Sequence, residues 1–277
     1  MAARTLRPSL LPQYLVLLAV AGIVLVPLIA AALGGFKTLG ELRVNPLGLP
    51  ASWDGPVYWE ILGSARLWRM LFNSAVIAGL TVGLVLIVGS MAAFIFAHVV
   101  FFGSRMLLNY LLLGLMFPAA TAMLPLFIRV RDLGLLDTYW GVVLPQVAFG
   151  LGMAILMLRG FFRQLPHELW EAARVDGCGY FQFYLRITLP LSRPILATVA
   201  VFSLVASWNS YLLPLIMFNT PEMYPWPLGI MNYQGEYSTE WNKILAFVTL
   251  TLAPAIVFFL LAQRHIVAGL AKGAVKG

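Results

Sequence analysis

The chain has 277 residues, 61% of them hydrophobic and only 10% charged, with a mean hydropathy of +0.89. A water-soluble domain averages about 45–50% apolar and about 25% charged residues, so an ordinary soluble fold is excluded and lipid is the solvent for much of the molecule. The net charge of +7 has no basic run or basic-aromatic patch behind it, which argues against nucleic acid and for a positively biased cytoplasmic face.

Crossing the hydrocarbon takes about 20 apolar residues at about 1.5 Å each. Six transmembrane helices are predicted at roughly residues 14–33, 71–97, 107–128, 139–158, 194–217 and 244–263, an all-α membrane protein forming one domain over 1–277 with a core of about 70–265. The first follows Arg4 and Arg7 and precedes Ala30-Ala31-Ala32, as a signal peptide would. Its apolar run is too long for that, so it reads as a retained helix. Segment 35–70 carries Pro46, Pro50 and Pro56, which predicts irregular structure or short surface helices. In the second span Gly79 and Gly83 form a G-x-x-x-G pair, whose default use is helix packing within the chain.

With the N-terminus in the cytoplasm, 11 Lys and Arg fall inside and 7 outside, which together make the 18. That bias places both termini in the cytoplasm. Trp53, Trp59, Trp68, Trp140, Trp226 and Trp241 then lie outside or at the outer interface, where amphipathic rings are favoured.

The spans hold essentially no Asp, Glu, Lys or Arg. This counts against an ion-coupled carrier, which needs groups to bind its coupling ion, and no channel filter loop is visible. His167-Glu168-Leu169-Trp170-Glu171 begins like a zinc H-E-x-x-H helix but lacks the second histidine. No G-x-S-x-G elbow occurs, and the tail Gly269 to Gly277 does not fit a phosphate-binding G-x-x-x-x-G-K-[ST] loop. No catalytic or metal site and no cofactor is therefore expected in this chain; energy for active transport would come from another chain. The lone Cys178 permits no intrachain disulfide and reads as a small residue in a turn.

The stretch from Leu158 to Pro190 carries the most information. Pro166 fits the first turn of a helix, where its missing N–H costs nothing, and Glu168 and Glu171 suit that helix's positive end. Leu169, Ala172, Ala173 and Asp176 fall on adjoining turns of one side, and the two alanines leave a surface that another protein can approach closely. Gly177 and Gly179 end the helix and turn the chain, and a second short helix is expected from Tyr180 to Ile187. On these residues alone, a docking knob and an interfacial amphipathic helix are both open.

Glu171-Ala172-Ala173, then Gly177, Ile187 and Leu189-Pro190, with intervals of three, nine and one residues, resemble the EAA motif of binding-protein-dependent ABC permeases. The resemblance covers most of the chain. Asn73-Ser74, Leu124-Pro125-Leu126-Phe127 with Leu133 to Thr138, and Trp208-Asn209 are similar to features of carbohydrate permeases. The ending from Gln263 is similar to the maltose-type second permease subunit, with His265-Ile266 in place of an aromatic-rich pair.

The resemblance implies an ABC importer type I permease fold and a sugar or oligosaccharide importer in the bacterial inner membrane. It makes Glu171, Ala172, Ala173, Asp176, Gly177, Ile187, Leu189 and Pro190 the coupling loop, seated in the ATPase subunit. The cytoplasmic tail 264–277, with Gln263, Gly269 and Lys276, would reach the ATPase interface, and Asn73, Ser74, Trp208 and Asn209 would line the pathway. The implied partners are a second permease, an ATP-binding subunit dimer that holds ATP and Mg, and an extracytoplasmic sugar-binding protein. Tyr224, Trp226, Tyr233 and Tyr237 in loop 218–243 offer either sugar contacts or interface anchors. A permease for amino acids, peptides or phosphate and a membrane scaffold remain as alternatives.

Overall fold

A computed structural model describes residues 10–235 and 238–274. Among the described residues four helices are long and apolar enough to cross a membrane: Pro12–Gly34, Ala65–His98, Tyr139–Phe162 and Trp241–Leu260. Two bent pairs bring the number up to six, Ser104–Met116 with Ala119–Asp132 at 97°, and Tyr180–Leu191 with Arg193–Trp208 at 78°. The chain is a multi-pass, nearly all-helical membrane protein, in agreement with the predicted fold class.

Five of the six expected intervals fall on these spans, whereas the one expected at 194–217 is displaced to the bent pair ending at Trp208; the third and the fifth intervals are not straight helices. In the third, α5 (Ser104–Leu113) runs through a 3₁₀ turn to Phe117, whose ψ of 124° is extended, and restarts through a second 3₁₀ turn into α6 (Met123–Asp132). Pro118 disfavours helical geometry at the residue before it. Proline alone does not break the helix here, since Pro27, Pro145 and Pro254 sit inside continuous ones. In the fifth, α11 (Arg193–Trp208) stops, and α12 (Leu212–Met217) follows after a break. A helix through this point would drive the Pro214 ring into the carbonyl four residues back, at Ser210, and Ser210 N–H instead donates to Ser207 O in a tightened turn.

The chain divides into two compact units, Met1–Ala65 with Ile230–Leu252, and Arg66–Gly229 with Ala253–Gly277. In the first, α1 (Leu11–Gly34) is followed by the short surface helices α2 (Leu39–Val44) and α3 (Pro56–Leu62) expected for segment 35–70. A capping box joins Thr38 and Glu41, and Glu41 also accepts from Ala51 N–H. Lys37 is 2% exposed and donates to the carbonyls of Asn45 at 2.9 Å and Pro46 at 3.1 Å. Phe36 lies against Tyr58 and Trp53. Side chains at Gly34 and Gly35 would overlap Leu245 and Tyr58, which would have to shift to admit them.

In the second unit, α4 (Ala65–His98), α7 (Tyr139–Phe162), α11 and α12 share a core that includes Ile77, Val85, Phe94, Val143, Leu158, Val199 and Met217. Between lipid-immersed helices, close packing and hydrogen bonds replace the hydrophobic effect. Gly89 and Gly150 provide the approach: a Cβ at Gly89 would lie 3.2 Å from Ala154, and one at Gly150 would lie 3.2 Å from Val85. The predicted Gly79–Gly83 pair faces open space instead, with nothing within 4 Å of either added Cβ. Exposed Leu, Val and Ile cover α1, as befits a helix solvated by acyl chains. Of the six tryptophans assigned to the outer interface, Trp226 is a correction: it is 7% exposed, and its indole N–H donates to Trp208 O.

Candidate functional site

The loop after α7 folds as a helix–turn–helix. Pro166 caps α8 (His167–Val175), one residue before the first helical position. His167 Nδ1 and Glu171 Oε1 are 3.1 Å apart across one exposed turn, an i,i+4 pair. Gly177, at φ 80°, makes the turn that L-residues with a Cβ resist. The chain then enters α9 (Tyr180–Phe183), a π segment from Tyr184 to Thr188, and α10 (Leu189–Leu191). Pro190 has no N–H to offer the carbonyl of Arg186 four residues earlier, which loosens the ladder where the π turn forms.

Aromatic contacts close this hairpin. Trp170 stacks on Tyr180 at 4.5 Å and 15° and meets Phe183 edge-on at 5.0 Å, with Arg174 above the indole at 6.0 Å. Ser90 on α4 bonds the Tyr184 hydroxyl at 2.7 Å. The sequence reading gave these aromatics no role. Their spacing, with Trp170 and Tyr180 either side of a glycine turn, was the available signal.

The clasp turns one face of α8 inward and leaves the other free. Ala173 is buried in the chain's own core, while Glu171, Ala172, Val175 and Asp176 are exposed, Val175 to 88%. The expectation of two outward alanines is thus corrected: consecutive residues are 100° apart on a helix, so only Ala172 shares the outer face. Ile187 and Leu189 are half-buried against the core and Pro190 is exposed. Cys178 is a half-buried free thiol in the turn, and its backbone N–H donates to Ala173 O.

Asn73 and Ser74 prove to be internal fasteners of this unit rather than lining residues. Asn73 is 2% exposed; it donates to the carbonyls of Glu222 at 2.8 Å and Tyr224 at 3.0 Å, and accepts from the Tyr139 hydroxyl at 2.8 Å. Ser74 Oγ accepts from Trp226 N–H at 2.9 Å. Asp137 fastens the same segment: at φ 55°, its carboxylate accepts from the backbone N–H groups of Thr220 at 2.9 Å and Asn219 at 2.6 Å. These donors, Thr220 first, hold its carboxyl below the usual carboxylate range.

A cavity of about 570 Å³ lies among α4, the α5–α6 break, α7, α11 and the α11–α12 break. Thr81, Gln146, Phe149, Phe202, Ser207 and Tyr211 are among its lining residues, and none of the lining residues carries a formal charge. Trp208 and Asn209 do not line it: Trp208 is buried, and the Asn209 amide donates to Val205 O in its own helix. Sequence reasoning missed Gln146, although an amide in mid-span beside Pro145 was a visible signal.

Gln263 is exposed, and its side chain donates to Leu260 O within α13 (Trp241–Ala274). The backbone at Gly269 is helical, whereas Lys276 and Tyr237 lie outside the described residues. Among the described residues no group of three or more His, Cys, Asp and Glu is placed to hold a metal ion.

The diacetylchitobiose uptake system permease protein NgcG of Streptomyces coelicolor is 32% identical over 253 residues, which are 91% of this chain and 84% of that protein. The trehalose transport system permease protein SugB of Mycobacterium tuberculosis is 38% identical over 75% of this chain and 78% of its own. A solved bacterial ABC transporter involved in alginate import contains a chain with the same fold at a TM-score of 0.80 and 22% identity, covering 95% of this chain and 98% of that one. Residues 85–272 match the family described as the inner membrane component of binding-protein-dependent transport systems; that match takes in the exposed helix–turn–helix and every cavity-lining residue except Thr81, and this chain belongs to that family.

Proposed function

We propose that this chain is a membrane-spanning permease subunit of an ATP-driven ABC importer that carries a sugar or oligosaccharide delivered by an extracytoplasmic binding protein. The observation that carries the reading is the loop from Glu171 to Pro190: it has the motif's spacing, and it folds as a hairpin with one face anchored in the core and the other exposed. Carbohydrate as cargo is supported by relatives named for diacetylchitobiose, trehalose and arabinooligosaccharides. The work is transport rather than catalysis.

In this reading Glu171, Ala172 and Asp176 meet a cleft of the ATPase subunit, and Ala173, Ile187 and Leu189 fix the loop to the spans. Gly177 sets the turn, and Pro190 shapes the exit toward α11. ATP and magnesium are held by the ATPase dimer, whose closure moves the loop as a lever and tips the spans between inward- and outward-open states. The chain acts as one permease domain over 1–277, with both termini in the cytoplasm. A second, different permease completes the pathway, and the tail 264–277, including Gln263, Gly269 and Lys276, contacts the ATPase.

A tagged purification in mild detergent tests this, with identification of co-purifying chains and an ATPase assay. A second permease, an ATP-binding subunit and ATPase activity stimulated by a sugar-loaded binding protein are the expected outcome. Recovery of the chain alone, inert to ATP in several detergents, would sink the proposal. Stimulation only by an amino acid, peptide or phosphate would move the cargo out of the carbohydrates.

A further inference from the structure

The turn between α4 and α5 presents its apolar side chains outward. Val99 N–H still donates to Ile95 O, and the chain then reverses at Gly103, whose φ of 79° suits a residue without a Cβ. Phe101 turns inward onto Phe96, with ring centroids 6.0 Å apart, while its neighbours Val100 and Phe102 are fully exposed. Met106, in the first turn of α5, is 81% exposed. Bulky apolar side chains at the rim of a span are at home where lipid headgroups meet acyl chains.

Beside them lies an open groove of about 670 Å³, to which Ser104, Arg105, Asn109 and Tyr110 contribute. Arg105 and Asn109 stand one turn apart on α5, as do Met106 and Tyr110. The side chains of Ser104, Arg105, Asn109 and Tyr110 make no hydrogen bond or ion pair with the described residues. The groove therefore offers one cation and several free donors. It offers no anion: no Asp or Glu lines it, and none occurs in the sequence between Glu60 and Asp132.

We propose that this groove holds the headgroup of an anionic phospholipid. The Arg105 guanidinium pairs with the phosphodiester, and the Ser104 hydroxyl, the Asn109 amide and the Tyr110 hydroxyl donate to its remaining oxygens. The acyl chains lie along Met106 and Leu113, which line the same groove. A zwitterionic lipid fits less well, because its ammonium group finds no carboxylate here. Placement in the cytoplasmic leaflet, whose surface is negatively charged, rests on the permease reading; the binding itself does not. From this groove α5 leads to the break that borders the cavity, so the lipid braces one end of that limb.

The test titrates the complex, purified in mild detergent, with phosphatidylglycerol and with phosphatidylcholine of the same acyl chains, and reads bound lipid by native mass spectrometry. Selective binding of phosphatidylglycerol is expected. It should weaken about fivefold in Arg105→Gln, the worth of one cation near an anionic lipid surface, and weaken also in Phe102→Ser. It should hold in Arg193→Gln, which removes an equal charge from an exposed arginine outside the groove. Equal losses in the two arginine variants, or no preference for phosphatidylglycerol, overturn the proposal. Displacement of the lipid by millimolar inorganic phosphate would make this a free-anion site and overturn it too. A benzophenone photocrosslinker at Met106 should capture the lipid; capture of a co-purifying chain would put a protein on this face instead and overturn the lipid. None of these readings depends on ATPase stimulation by a loaded binding protein, which tests the permease reading separately.

Discussion

The hydroxyls of Ser90 and Tyr184 meet 2.7 Å apart in a buried position, one on α4 and the other in the π segment that follows the exposed hairpin. A side chain within a span thus holds the loop at the point where the helix–turn–helix gives way to α11. Movement of the hairpin must either carry α4 with it or break this bond. Tyr184→Phe removes the bond at nearly constant shape and is expected to cost about 1 kcal/mol. Thermal unfolding of the purified complex reads that loss, and the ratio of solute carried to ATP hydrolysed is expected to fall with it.

Gly177→Asp separates docking from folding. An added Cβ has open space around it, and aspartate tolerates the left-handed region better than most residues, at a strain of about 1 kcal/mol. The protein should therefore insert at normal levels while uptake collapses, because the new carboxylate lies on the proposed docking surface. Uptake assays paired with membrane immunoblots check this; normal transport at normal expression would remove the lever from the mechanism.

Asn73→Ala is expected to act on stability rather than on recognition. It deprives two carbonyls and the Tyr139 hydroxyl of their partner in a buried position, at a cost of about 1–3 kcal/mol. Lower protein yield and melting temperature with an unchanged KM for sugar is the expected pattern. A raised KM in well-folded protein would return Asn73 to the pathway.

Asp137 gives the segment around Asn219 and Thr220 a dependence on acid. Its folded pKa is depressed by the Thr220 and Asn219 donors, so the stabilisation is fully present at neutral pH and is lost as pH falls through the folded value. Melting temperatures recorded from neutral pH down into the carboxylate range should decline in the wild type. Asp137→Asn should start lower at neutral pH and decline less. Equal slopes in the two proteins would show that other carboxylates set the acid limit.

How much of this was visible in the residues alone varies by element. The spans around Val24, Val85 and Ile155 were plain, because an uninterrupted apolar run of that length has few other uses. The breaks at Phe117-Pro118 and before Pro214 were not, since Pro27, Pro145 and Pro254 ride inside intact helices and the outcome depends on neighbouring turns. The hairpin between Pro166 and Gly177 followed from local chemistry, a proline at the start and a glycine at the left-handed turn. Which alanine faced outward was decided by the Trp170–Tyr180 stack, a contact between two helices. Asn73 and Gln146 show the same limit: each was readable as a polar group in a span, but its partners come from residues 61 to 151 positions away.

The neutrality of the cavity lining bears on energetics across the whole bilayer. Moving one elementary charge through a membrane potential of 100 mV is worth about 2.3 kcal/mol. An uncharged solute passing a wall without charged side chains draws nothing from that field and loses nothing to it. For an uncharged solute, this wall adds no electrical work to its passage.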